Sequence, residues 1–348
     1  MAGLAVALQV QAEACARLGS PMYAELLQRM AGDLGTPGPL ERVLAGHEDD
    51  PGPSALFLRL LGTVHRLVLE RRAGALAAYY PSVGGRWDCD AAWPAFVDLL
   101  DVERGEVRRG LERPPQTNEV GRSAALVGAL LRLPAAALPV RLIELGASGG
   151  LNLRADRFRY TSAEASWGPP DSPVVLDDAW LGAPTPVERS LNVVERIGCD
   201  TAPVDPATTE GRTLLTAYVW PDQQSRLHRL RGAFEVAAAT PAHVRRERAL
   251  DLVARLEPQD GACTVLWHSI VWQYLDAAEQ AAVRGHVERL AGAASAEAPF
   301  VHLALEPTRR TAGGEHEFLV VVEQWPHAPE PAVLGTAAGH GPPVSWEA

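Results

Sequence analysis

Residues 140–150 constrain the fold of this chain more than any other segment: Val140-Arg141-Leu142-Ile143-Glu144-Leu145, then Gly146-Ala147-Ser148-Gly149-Gly150. A short apolar run that breaks at once into glycines reads as a buried strand entering a tight turn. Glycine turns the chain sharply and lets a ligand approach the backbone. A helix starting just beyond would offer unpaired N–H groups. An acid at the strand tip, here Glu144, can accept from a ligand's ammonium group.

The flanking pattern sets the fold class. Residues 1–135 read as helical, with Leu56, Leu60, Leu61, Val64, Leu67 and Val68 at helical spacing and Pro/Gly breaks near 35–39, 50–53 and 81–85. Arg113-Pro114-Pro115 forces an extended approach, after which Thr117 or Asn118 is expected to cap a helix running to about 133. From Val140 onward strands alternate with helices: strands at 193–198, 243–247, 264–268 and 300–305, helices at 208–219, 222–239, 249–256 and 277–290. Residues 318–323 and 332–336 are expected to close the sheet as an antiparallel pair. A small hairpin is expected between 158–166 and 173–180, joined through Gly168-Pro169-Pro170. Alternation of this kind predicts an α/β fold: a Rossmann-like, mostly parallel sheet with helices on both faces. The expected division is a helical region at 1–135 and a Rossmann-like domain at 136–348, with a β insertion at about 156–188.

Composition removes several classes of function. The net charge of −11 argues against sequence-independent nucleic-acid binding and against an anionic membrane surface, both of which need basic residues. The sequence holds no lysine, so a pyridoxal-phosphate Schiff base and a Walker A loop are excluded on chemistry. Cys15, Cys89, Cys199 and Cys263 form no Cys-x-x-Cys pair, so no metal site is expected, and a reducing cytoplasm fits. The first residues carry no basic leader, and the apolar stretch 124–145 is interrupted by Arg132, Pro134, Pro139 and Arg141, which argues against a membrane span. His47-Glu48-Asp49-Asp50 reads as a solvated acidic loop.

Three reaction classes compete for the glycine turn. Glu144, Gly146, Ser148 and Gly150 are similar to the acid-x-Gly-x-Gly-x-Gly pattern of methyltransferases, with Ser148 replacing the middle glycine. Ile197-Gly198-Cys199-Asp200 resembles the second strand tip of such enzymes, whose acid meets ribose hydroxyls. Asp200 lies 50 residues past Gly150, where a dinucleotide fold places its acid roughly 20 on; the β insertion accounts for the excess. The alternative is a serine hydrolase, because Gly146-x-Ser148-x-Gly150 also matches a nucleophile elbow. Glu306 and His340 would then be acid and base. No His-Gly-Gly segment precedes the turn, and Glu144 would oppose an oxyanion there. The Gly-x-Gly-x-x-Gly nicotinamide fingerprint is not met.

Taken along its length, the chain resembles the bacterial domain of unknown function 2332 family. The matching segments are 115–122 (Pro-Gln-Thr-Asn-Glu-Val-Gly-Arg), 144–153, 195–200, Trp220-Pro221-Asp222-Gln223, 267–274 (Trp-His-Ser-Ile-Val-Trp-Gln-Tyr) and His340-Gly341. The resemblance implies a divergent Rossmann methyltransferase fold and S-adenosylmethionine as cofactor, with an acceptor that is a small molecule or a protein. Two departures stand out: Pro342-Pro343 where a basic residue is expected, and Arg248 where an aspartate is expected, with Glu247 beside it.

His268, at the end of the fourth strand, is the candidate base. Trp272, Tyr274 and Glu306 are candidates for the substrate pocket. Asn118, Glu119 and Arg122 are expected to cover the cofactor site, Arg122 on a carboxylate. Asp222 is expected to cap the helix that follows it. A non-catalytic cofactor-binding module is the other alternative.

Overall fold

A computed structural model describes residues 2–50, 54–163, 165–311 and 313–347. The protein is mixed α/β, with a large, mostly parallel sheet and helices. It divides into two compact units: Met1–Thr117 with Thr208–His228, and Asn118–Ala207 with Arg229–Ala348. Among the described residues no helix is long and apolar enough to cross a membrane.

The first unit contains α1 (Ala2–Arg17), α2 (Pro21–Asp33), α3 (Pro39–Leu44), α4 (Leu56–Leu69), α5 (Cys89–Val102) and α6 (Arg104–Leu111). The apolar stripe predicted on α4 is fully inside, packed in one core with Leu8, Leu27, Met30, Phe96 and Leu100. An amphipathic helix gains its stability from this burial more than from intrinsic propensity. The Ser20 hydroxyl accepts the Tyr23 N–H at the start of α2. Asp222 then corrects an expectation. Its carboxylate accepts from the Ser20 hydroxyl (2.7 Å) and the Met22 N–H (3.0 Å), so it completes the start of α2, 200 residues away, rather than capping its own helix.

The second unit begins with α7 (Ser123–Arg132), followed by β1 (Val140–Leu145), β2 (Arg159–Thr161), β3 (Ser166–Trp167), β4 (Val175–Leu176), β5 (Trp180–Gly182) and β6 (Val193–Asp200). Next come α8 (Thr209–Ala217), which belongs to the first unit, and α9 (Gln224–Ala239). The chain continues through β7 (His243–Arg246), α10 (Ala249–Ala254), β8 (Cys263–Ser269), α11 (Ala277–Ala293), β9 (Phe300–Thr308), β10 (Glu317–Trp325), β11 (Ala328–Ala338) and β12 (Gly341–Trp346). Among the described residues the main sheet has nine strands in the order β5-β12-β11-β10-β9-β8-β1-β6-β7. The strands β7, β6, β1, β8 and β9 are mutually parallel. β8 is buried along its whole length, as expected for a parallel strand covered on both faces. On one face Ile143, Leu145 and Leu266 pack with Leu252 and Val253 of α10 and Val283, Val287 and Leu290 of α11.

Several details differ from expectation. The expected antiparallel pair exists as β10 and β11, but the sheet continues past it: β12 pairs with β11, and β5 pairs in parallel with β12. The segment at 158–180 is not one hairpin. Arg159–Thr161 pairs antiparallel with Ser166–Trp167 and parallel with Val175–Leu176, forming a separate three-stranded sheet, while Trp180–Gly182 joins the main one. The expected cap at Thr117 or Asn118 is absent. Glu119 accepts the Gly121 N–H through its side chain, a 3-10 turn spans Val120–Arg122, and α7 starts only at Ser123.

Candidate functional site

The order of strands defines where a ligand would sit. Among the central parallel strands the next one after β1 is β6, on one side of it, and the next one after β8 is β9, on the other, so β1 and β8 flank a topological switch point. In open parallel sheets the crevice outside the carboxyl ends at such a point is where ligands bind. The glycine turn follows β1 there. Gly146 has φ +65°, and a Cβ on it would lie 2.2 Å from Val271 Cγ2, in the segment just past β8. Glycine is required at 146 because two consecutive edges of the crevice meet on it.

Register sorts the candidate side chains onto two faces. Glu144 is level with Gly198 of β6 and Trp267 of β8, and Leu145 with Cys199 and His268. Directly paired residues point to the same face and successive ones alternate. Glu144 and Trp267 therefore share one face, and His268 leaves from the other.

On the Glu144 face the structure gathers most of the predicted residues. Asp200 accepts the Ser148 N–H (3.0 Å) on one oxygen and the Ala202 N–H (2.8 Å) on the other. Asn118 Oδ1 accepts the Leu151 N–H (3.0 Å), and Asn152 Nδ2 donates to the Glu119 carbonyl (3.2 Å). The Gly150 carbonyl takes a hydrogen bond from Arg154 Nη1 at 2.7 Å. Arg122 is buried and donates to backbone carbonyls, Gly339 O (3.1 Å) through Nε and Ser269 O (3.2 Å) through Nη1, and its charge also acts on the Glu144 carboxyl. A Cβ on Gly121 would lie 2.2 Å from the His340 carbonyl oxygen. Segments that are far apart in sequence, at 118–122, 144–154, 267–271 and 339–341, thus meet at one edge.

Glu144 is only 2 % exposed. Burial pushes its carboxyl up to about 8, against the lowering pull of Arg122 and Arg154. Its Oε2, Asn152 Oδ1 and Trp267 Nε1 are buried with no hydrogen-bond partner among the described residues. Buried polar atoms are nearly always satisfied. Asn152 and Trp267 both lie close enough to the Glu144 carboxyl to lower it by hydrogen bonding, and the acceptors Glu144 Oε2 and Asn152 Oδ1 offer places for a group that donates. Beside the turn opens a cleft of about 400 Å³, lined by Gly149, Arg154, Val204, Ala238 and Val244 among others.

The opposite face carries His268. Its Nδ1 lies 2.8 Å from Glu306 Oε1, its Nε2 lies 3.1 Å from His302 Nε2, and its ring stacks on Trp272 at 5.1 Å. Glu306 Oε1 also accepts the N–H groups of Val271 (3.0 Å) and Trp272 (3.2 Å). Tyr274, on the 3-10 turn Trp272–Tyr274, is 42 % exposed. The predicted residues therefore form two groups, Asn118, Arg122, Glu144, Gly146, Ser148, Gly150 and Asp200 around the turn, and His268, Trp272 and Glu306 behind it.

Sequence reasoning did not single out Asn152, Arg154, Trp267, His302 or Glu323. Asn152 and Arg154 follow the turn directly and had a positional signal. His302 and Glu306 are four apart in one strand, hence on one face, and that period-2 relation was also readable. Glu323 joins them only through register, opposite His302.

Fold and site together define an α/β protein with a glycine turn and two strand-tip acids at the switch point of its parallel sheet. The chain belongs to the family described as "Uncharacterized protein conserved in bacteria (DUF2332)", whose model matches residues 5–346. No curated protein and no solved structure matches it.

Proposed function

We propose that the second unit binds S-adenosylmethionine along the carboxyl edge of β1, β6 and β7, in a Rossmann-like methyltransferase arrangement, and transfers its methyl group to a small-molecule or protein acceptor. The observation that carries this reading is the succession β7-β6-β1-β8-β9 with a left-handed glycine turn after β1, acids at the tips of both β1 and β6, and a cleft beside them. The residues present fit the group. A carboxylate oxygen has two acceptor positions, so Asp200, which uses one on each oxygen for backbone N–H groups, keeps one on each for a pair of hydroxyls. The cleft wall of Pro203, Val204, Ala237, Ala238 and Val244 suits a flat, weakly polar ring. Glu144 Oε2 and Asn152 Oδ1 suit an ammonium group, which only donates.

When bound, S-adenosylmethionine supplies a methyl group activated by a sulfonium, so the protein's task is chiefly alignment. Because His268 leaves from the face opposite Glu144, its role in this reading is to hold the β8 edge through Glu306 rather than to face the Glu144 site. The test is calorimetry with S-adenosylmethionine and with its demethylated product. Binding with a heat that varies with the ionisation heat of the buffer is expected at pH 7, since a cation beside Glu144 would drive its proton off. The absence of binding by either compound at millimolar concentration would end the proposal. Binding without turnover on any acceptor would favour a cofactor-binding module.

A further inference from the structure

Behind the glycine turn a chain of charged groups crosses the face covered by α11. It runs from Glu306 to His268 Nδ1 (2.8 Å), from His268 Nε2 to His302 Nε2 (3.1 Å), from His302 Nδ1 to Glu323 Oε2 (2.7 Å), and from Glu323 Oε2 to Arg284 Nη1 (2.7 Å). His268 and His302 are 3 % and 4 % exposed. The groups facing the two rings come from every neighbouring element: Glu306 on β9, Glu323 on β10, Arg284 on α11, and the Trp272 ring with the N–H groups of Val271 and Trp272 from the segment after β8.

Proton counting fixes the state of this chain. Backbone N–H groups and a guanidinium only donate. Glu306 Oε1 takes two backbone N–H groups and Glu323 Oε2 takes Arg284, so both oxygens are acceptors. Each histidine must then place a proton on Nδ1. Two neutral rings so oriented would aim two lone pairs at each other across 3.1 Å, which repels. One more proton is needed between the facing nitrogens.

We propose that His268 and His302 share a third proton between their Nε2 atoms, with His268 as the doubly protonated ring, so that Glu306, His268, His302 and Glu323 form an inward proton-holding site closed toward solvent by the half-exposed Arg284. The two carboxylates are balanced by the imidazolium and by the half-exposed Arg284 guanidinium, so the set is neutral overall, which is what makes the burial of its inner members tolerable. His302 suits the accepting role, because burial pushes it down to about 4 in spite of Glu323. At Glu323 the hydrogen bonds from His302 and Arg284 outweigh the raising effect of burial, so its carboxyl lies below the usual range. The chain ends at Glu306 Oε2, which is buried with no hydrogen-bond partner among the described residues, at the carboxyl edge of the sheet. It gives that edge an acceptor for an O–H or N–H group, backed by a stored proton. This inference does not depend on the cofactor reading, since no residue of the Glu144 face takes part in it.

The facing nitrogens also resemble a metal pair whose outer nitrogens are oriented by carboxylates. Among the described residues, however, no third His, Cys, Asp or Glu completes a metal site. The experiment is imidazole ¹H–¹⁵N correlation on the ¹⁵N-histidine-labelled full chain, with His268→Gln and His302→Gln used for assignment. At pH 7 His268 should carry protons on both nitrogens, slow to exchange, and His302 on Nδ1 alone. Glu306→Gln should remove the second His268 N–H signal at pH 7, because it withdraws the carboxylate that balances the imidazolium; a purely structural role would leave that signal in place. If that variant does not fold, the wild-type spectrum still decides. Two singly protonated rings at pH 7, or stoichiometric zinc or copper by mass spectrometry, would overturn the proposal.

Discussion

At the scale of single residues, the turn holds two groups under unusual constraint. Glu144 is a buried acid whose folded form keeps its proton up to about pH 8, while an unfolded glutamate gives it up near 4.5. Between those values the folded state binds one proton more than the unfolded state. The stability that this group contributes is therefore complete below the unfolded pKa and is lost as pH rises toward 8, by about 1.4 kcal/mol per pH unit. Glu144→Gln, a neutral isostere, should flatten that dependence in urea midpoints measured from pH 5 to 8; parallel curves for variant and parent would refute the assignment. Ser148 has φ +50°, a conformation costing roughly 1–2 kcal/mol in a residue with a Cβ. Glycine there relieves that strain at an entropic cost of about 0.5–1 kcal/mol. Ser148→Gly should therefore leave stability unchanged or raise it by up to about 1.5 kcal/mol, and a fluorophosphonate probe should leave the parent unlabelled. A positive φ also suits a strained nucleophile, so stoichiometric labelling at Ser148 would promote the hydrolase reading.

At the scale of elements, the missing lysine acquires a structural counterpart. Two helices of six residues are too short to hold their own ends. Each has its last carbonyls gathered by an arginine from another helix. Arg108 of α6 donates to the carbonyls of Arg42, Val43 and Ala45 at the end of α3. Arg289 of α11 donates to those of Val253, Ala254 and Leu256 at the end of α10. In each cluster one terminal nitrogen reaches all three carbonyls, and at Arg289 the other terminal nitrogen holds Glu257 Oε1 (2.9 Å), a second anchorage that a single ammonium does not supply. Arg289→Lys should cost about 1–2 kcal/mol in chemical denaturation although the charge is kept. A loss no larger than that of an exposed arginine changed to lysine would show that charge alone matters there.

At the scale of the whole molecule, the fold is closed by ties between segments remote in sequence. Arg122 joins the start of α7 to the ends of β8 and β11, through Ser269 and Gly339. Asp222 joins residues 220–222 to the start of α2. Arg122→Lys removes the fork while keeping the charge buried, and should cost roughly 2–3 kcal/mol. The clearest readout is amide exchange: residues 269–271 and 339–341 should exchange faster than the centre of β8. Uniform exchange in both proteins would mean that Arg122 is not the tie.

Local chemistry was enough to settle the central strands and α4, though not β5, β12 or the small sheet at 159–176. The apolar stripe of α4, the continuous apolar runs of β1, β8 and β9, and the glycines at 146–150 carry their structure within a few residues, because helix and strand periods and steric freedom are local properties. The acids at 144 and 200 were legible for the same reason, each standing at the end of such a run. What each polar group pairs with is set by chain closure over 30 to 200 residues, and no local pattern encodes it. Asp222 turned away from its own helix, Asn118 gave its oxygen to Leu151 instead of a cap, and Arg122 donates to carbonyls at the ends of β8 and β11. Side-chain parity was written in the sequence too, but it acquired meaning only once register placed Leu145 beside His268 and Glu144 beside Trp267. That register, fixed by the packing of whole strands, decided that Glu144 and the histidine pair lie on opposite faces of one sheet.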